Sequence, residues 1–122
     1  MKAAALHVKR VYEPATDADG VRLLVDRLWP RGISKQHLQA AAWLKDIAPS
    51  TELRHWFAHR PKRAEEFRKR YVQELDANPQ AVAELRQWLA HGHATLLYAA
   101  HDTLHNNAVV LRDYLLQDPA GQ

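Results

Sequence analysis

Two stretches of this chain concentrate side chains that can do chemistry. In DRLWPRG (26–32), Asp26, Arg27, Trp29 and Arg31 occupy a turn directly after the apolar run VRLLV (21–25). Two guanidinium groups can hold a phosphate or carboxylate bidentately, Asp26 can accept or orient a proton, and Trp29 offers a flat apolar wall. In AHDTLHNNA (100–108), His105 is a candidate hydrogen-bonding or acid/base group, with Asp102 and Asn106 placed to orient it or a ligand near the start of a helix. Each stretch also has a structural reading. Arg27 can pair with Asp26 or another carboxylate, Trp29 with Pro30 can seal the end of the core, and His105 can be a surface histidine.

Other chemistry is poorly served. His101 and His105 stand four apart and could share a helical face, but two imidazoles do not complete a metal site, and Asp102 as a helix cap would be engaged by backbone N–H groups. No metal and no cofactor is expected. The chain has no cysteine, which removes thiolate nucleophiles and disulfides and is compatible with a reducing cytoplasm. WLKDIAPS brings Trp43, Lys45 and Asp46 close to a turn before a helix start at Ser50 or Thr51, while Trp43, Trp56 and Phe57 read as core. RPKRAEEFRKR (60–70) holds six basic residues, yet its glutamates neutralise part of that charge at pairing distance. A net charge of +3 does not mark a nucleic-acid binder. MKAAALHVKR has too short an apolar stretch for a signal peptide, and no run approaches a membrane span.

These groups need a scaffold, and the apolar pattern supplies one. His7–Tyr12 and Val21–Asp26 read as strands separated by the acidic DADG turn. A connection of about eight residues favours an antiparallel hairpin between them, because parallel crossovers normally need a dozen or more residues. Ser34 can cap a short helix to about Ala41, and the segment around Trp43 to Ile47 can continue as helix or form a strand. Ser50 or Thr51 can cap TELRHWF. Pro61 fits the first turn of a helix with Ala64, Phe67, Tyr71 and Leu75 on one stripe, with Glu65–Lys69 and Glu66–Arg70 pairs outside. Asn78-Pro79 opens another helix with Val82, Leu85 and Leu89 inward, stopped by Gly92. A strand at His93–Ala99 and a last helix capped by Asp102, with Leu104, Ala108, Leu111 and Leu115 inward, complete the order β-β-α-(α or β)-α-α-α-β-α. One α/β domain over residues 1–122 is expected, with a small mixed or mostly parallel sheet flanked by helices and a loose tail at 117–122.

Over about His7 to Leu116 the chain resembles the YeaO-like proteins, a bacterial group within a broader superfamily of domains of unknown function. The resemblance rests on KRVYEP, the DG turn, VDRLWPRG, WLKDIAPSTELRHWF, EFRKRY and TLLYAAHDTLHNNAVVL. It implies an α/β sandwich around a mostly parallel sheet and supplies no established substrate. Members commonly read AAKDxxHNHA where this chain reads AAHDTLHNNA, so His101 replaces a common Lys and Asn107 a common His, while Asp102, His105 and Asn106 match. The expectation is a small cytoplasmic protein that takes a small anionic ligand in a strand-end pocket, with or without catalysis. Asp26, Asp102 and His105 are its catalytic candidates, and Arg27, Trp29, Arg31 and Asn106 its binding candidates. The alternative is a nucleic-acid or protein-interaction module on the basic helix 61–75. The oligomeric state is not legible.

Overall fold

A computed structural model describes residues 5–117, so 118–122 of the expected loose tail lie outside the described residues. Four short strands form: β1 (Leu6–Arg10), β2 (Val21–Leu24), β3 (Ala42–Trp43) and β4 (Ala94–Tyr98). They make one sheet in the order β1-β4-β2-β3, with every pairing parallel. β4 is buried along its whole length, as a central strand with both faces covered must be. Leu96 sits opposite Val8 on one side and Leu23 on the other.

The β1–β2 hairpin expected from the loop length is not formed, because β4 lies between the two strands. The reason is strand length. A five-residue strand rises only about 16 Å, and an extended segment spanning 11–20 can reach roughly 33 Å. The chain can therefore return beside the sheet, without a helix, and start a second parallel strand.

Alternation along the strands separates two unequal faces. Leu23, Val25, Leu96 and Tyr98 join the main core. It is covered by α2 (Thr51–Phe57), α3 (Ala64–Asp76), α4 (Pro79–Leu89) and α5 (Asn107–Gln117). The expected stripes hold: Phe67, Tyr71 and Leu75 of α3 and Val82 and Leu85 of α4 are buried. Leu24 and Leu97 face the other way, into a small cluster with Val11 and with Leu38 of α1 (Lys35–Leu38). Ser34 caps α1 as expected, but the helix stops at Gln39 in the left-handed region (φ 55°) rather than running to Ala41, because the chain turns there to pair β3 with β2. After β3 the ambiguous segment becomes a 3-10 turn, Lys45–Ile47. Among the described residues no helix is long and apolar enough to cross a membrane.

The thin face is fastened by a buried carboxylate. Asp19 accepts hydrogen bonds from Arg22 Nη1 (2.6 Å) and Lys9 Nζ (3.0 Å) and from the Thr16 N–H and hydroxyl. Arg22 also donates twice to the Leu38 carbonyl, and Thr95 of β4 donates to the Asp19 carbonyl, so one acidic turn ties together β1, β2, β4 and α1. Burial pushes the Asp19 carboxyl up, but the Thr16 N–H, Lys9 and Arg22 outweigh it and bring it down to about 2. Gly20 completes the turn at φ 65°, where an added Cβ would stand 2.1 Å from the His93 carbonyl oxygen.

Removing the carboxylate strands a buried guanidinium, so Asp19→Ala is expected to cost about 3–5 kcal/mol in urea unfolding. The pH dependence has a definite sign. A depressed carboxyl contributes stability that is present above its ordinary value of 3.8 and is lost as pH falls toward about 2. Stabilities of the native chain and Asp19→Asn should accordingly converge as the pH is lowered from 3.8 to about 2.

Candidate functional site

Because the sheet is parallel, the carboxyl ends of its strands emerge along one edge, which is where open α/β sheets collect ligands. The segments leaving β1, β2 and β4 line a single cavity of about 570 Å³ there. Tyr12 comes from the first, Asp26 to Arg31 from the second and Ala99 to Asp102 from the third, while the start of α5 adds Asn106 and Asn107. The helical layer closes the far side with Pro49, Arg54, Phe57, His59 and Phe67. Of the candidate residues, Asp26, Arg27, Trp29, Arg31, Asp102 and Asn106 meet here, and His105 is not among the lining residues.

Asp26 is the most constrained of these groups. Its Oδ2 accepts from the Ala99 N–H (2.9 Å) and its Oδ1 from Asn107 Nδ2 (3.1 Å), fixing the carboxylate across the ends of β2 and β4. Burial raises its pKa above the ordinary value. The Ala99 N–H, Asn107 and the more distant charges of Arg54 and His59 oppose that shift without cancelling it. No basic side chain bonds it directly among the described residues, in contrast to Asp19. Asn107, which also donates to the Val25 carbonyl, thus belongs to the site although the residue pattern singled it out only as a departure from the YeaO-like family.

The two arginines of the turn part company. Arg27 donates to the carbonyls of Pro49 (3.1 Å) and Ala48 (3.1 Å), strapping the turn to the segment that enters α2. It does not pair with Asp26, whose charge it does not contact. Arg31 uses its carbonyl to accept from the Tyr12 hydroxyl (3.1 Å), and its guanidinium bonds no described residue. Trp29 is anchored by its indole N–H on the Ile33 carbonyl and meets Trp43 edge to face at 5.5 Å. Trp43, expected in the core, is 38% exposed. Its strand is at the sheet edge, and its N–H is tied to the Asp26 carbonyl.

A guanidinium and an imidazole that were not among the candidates, Arg54 and His59, come from α2 and the turn after it. Ser50 caps α2 and is gripped through its N–H and hydroxyl by Glu74 of α3, which fixes the helix that presents Arg54. The following turn places Ala58 (φ 48°) and His59 (φ 56°) both in the left-handed region, a backbone cost of about 1–3 kcal/mol for each non-glycine residue. That strained turn is what brings His59 to the cavity wall. Such strain gathers at functional sites.

Around the last loop the expectations need correcting. α5 begins at Asn107, so His101 and His105 do not share a helical face, and Leu104 is 73% exposed rather than inward. Its cap is Asn106, whose Oδ1 accepts from the Val109 N–H while Nδ2 donates to the Asp102 carbonyl. Asp102 instead closes the loop on itself, its Oδ1 accepting from the Leu104 and His105 N–H groups and its Oδ2 lying 2.8 Å from His105 Nδ1. Those bonds, from Leu104 first, hold its carboxyl below the ordinary value. A turn made by side chain to backbone bonds has preempted the helix start. Among the described residues no three histidine or carboxylate side chains converge on a possible metal position.

Comparison with known proteins places the chain. It is 46% identical over 110 residues to the uncharacterised protein YeaO of Escherichia coli strain K12, covering 90% of this chain and 96% of that protein. It is 41% identical over 115 residues to uncharacterised proteins of Mycobacterium tuberculosis and Mycobacterium bovis, covering 94% of this chain and 97% of each of them. No solved structure matches. A family model described as the inactive DUF488-N3 subclade matches residues 5–122, and the chain belongs to that family.

Proposed function

We propose that this chain is a cytoplasmic protein that binds a small anionic ligand, bearing phosphate or carboxylate, in the cavity at the strand ends. One observation carries the reading: Arg31 and Arg54 line that cavity and their guanidinium groups bond no described residue. Arginine is suited to bidentate capture of planar oxyanions, and structural arginines of this chain such as Arg22 and Arg27 are visibly committed to carbonyls or a carboxylate. A cytoplasmic location is supported by a chain without cysteine.

Binding without turnover is the better supported form. The matched family model is described as inactive. His105 stays off the cavity wall, and Asp102 is spent on its own loop. Of the catalytic candidates, Asp26 alone combines a place in the cavity with a carboxylate that keeps an acceptor site on each oxygen. The nucleic-acid alternative has less behind it. Arg70 is paired with Glu66 at 3.0 Å, and Arg63 and Arg70 both lie against the Trp56 ring.

Screening sugar phosphates, nucleotides and di- and tricarboxylates by thermal shift should find at least one class that raises the melting temperature, since a ligand of the native state alone stabilises it. Arg31→Ala and Arg54→Ala should each weaken that compound by about tenfold or more, the loss of one charge-assisted hydrogen bond, with little change in unliganded stability. Unchanged dissociation constants in both variants would sink the reading.

Asp26→Asn tests whether its carboxylate serves function rather than fold. A carboxyl raised by burial contributes stability at low pH that is lost as pH rises through its folded value, so the charged form is a burden near neutrality. The variant is expected to be at least as stable as the native chain at pH 7 by urea unfolding, and relatively less favoured below pH 4. A large loss of stability at pH 7 would make Asp26 a structural group.

Oligonucleotide binding should be weak. If it is tight, and the logarithm of affinity falls steeply with that of salt, at about −0.9 per neutralised phosphate on duplex DNA, the basic helix is the functional surface instead.

A further inference from the structure

Of the two carboxylates in the cavity wall, Asp102 keeps at most one open acceptor site, since two N–H groups share one oxygen and His105 takes a site on the other, and all three partners belong to its own loop. Asp26 differs. A carboxylate offers about four acceptor sites. Asp26 has filled one on each oxygen, with the Ala99 N–H and Asn107 Nδ2. Each oxygen therefore keeps one open site on a side chain that the protein holds rigidly from two elements and that no basic group of the described chain touches. Arg27, the nearest in sequence, is turned away to the carbonyls of Ala48 and Pro49. Desolvating a carboxylate without a cation in contact is costly, and in this cavity Arg54 and His59 act on Asp26 only from a distance, without a hydrogen bond to it.

Resting on the anion-binding reading above, we infer that the ligand of this cavity carries, besides its anionic group, a flat pair of adjacent N–H donors that docks side by side on Asp26. The fit is the fork-to-fork geometry in which a planar donor pair meets both oxygens of a carboxylate. Arg31 and Arg54 then receive the anionic end of the same molecule, and the aromatic wall of Trp29 and Phe57 flanks its flat part. Two chemical sources share this pattern: a guanine nucleotide, through the N–H groups of its base edge, and a guanidino acid.

Calorimetric titration of the full chain distinguishes them with matched pairs. Guanosine 5′-monophosphate is set against adenosine 5′-monophosphate, Nα-acetylarginine against Nα-acetylcitrulline, and inorganic pyrophosphate serves as an anion with no donor pair. One donor-bearing compound is expected to bind about tenfold or more tighter than its control, and Asp26→Asn should bring it down to the level of that control. Circular dichroism melting of that variant verifies its fold, and if it fails to fold the matched pairs on the native chain decide alone. Equal binding within both pairs, or a preference that persists in folded Asp26→Asn, overturns the inference. If pyrophosphate or adenosine monophosphate still binds and depends on Arg31, the anion-binding reading survives that result. If none of the five compounds binds, the inference falls, and the thermal-shift screen of sugar phosphates and di- and tricarboxylates decides the anion-binding reading separately.

Discussion

The carboxylate of Asp19 is the contact on which the architecture turns. It sits near the end of a ten-residue return, 11–20, that runs past a sheet only four strands wide with no α-helix of its own, only the 3-10 turn Asp17–Asp19. A stretch of that kind has few apolar side chains with which to hold itself down. Lys9 from β1 and Arg22 from β2 instead converge on one acid, and Arg22 passes the connection on to the α1 carbonyl of Leu38. The thin face, a small apolar cluster closed by the Asp19 network, and the large apolar core of the thick face are thus different solutions to the same problem. Where four helices are available the sheet is covered by Phe67, Tyr71, Leu85 and Leu111, and where one short helix is available it is closed by charge.

The parallel sheet that results brings the strand ends together, and with them a second carboxylate in the opposite electrostatic situation. Asp19 is buried among cations and N–H donors that favour its charge. Asp26 is buried with two neutral donors and no contacting cation, so desolvation prevails. The first arrangement stabilises the fold, while the second leaves a group whose needs the protein does not meet. Groups perturbed in this way, lying in a cleft, are the usual mark of a functional position.

The neighbours of Asp26 bear on how this family member works. Asn107 stands where YeaO-like sequences commonly carry a histidine, and in this chain its amide donates to Asp26 and to the Val25 carbonyl. An amide holds the carboxylate by donating a hydrogen bond but does not exchange a proton with it. Of the two imidazoles of that stretch, His101 lines the cavity, while His105 is bonded by Asp102 and is not among the lining residues. The Glu74 grip on Ser50 fixes the start of α2, and the left-handed Ala58–His59 turn ends it beside the cavity, which His59 lines.

Much of the local structure, and the turn that carries part of the candidate site, can be read along the chain. Alternation marked β1, short apolar runs marked β2 and β4, and helical apolar stripes marked α3 and α4. Ser34 and Ser50 marked helix starts, and DRLWPRG marked the turn that carries Asp26 and Arg31. These are legible because they depend on neighbours within a few residues. Tertiary structure alone decided that β4 inserts between β1 and β2, that Arg27 is a strap while Arg31 stays uncommitted, and that Asn106 rather than Asp102 caps α5. It also brought Arg54, His59 and Asn107 to Asp26 from 28, 33 and 81 positions away along the chain. Such pairings rest on which strand ends and helix starts the closed core brings together, and no spacing along the chain encodes that.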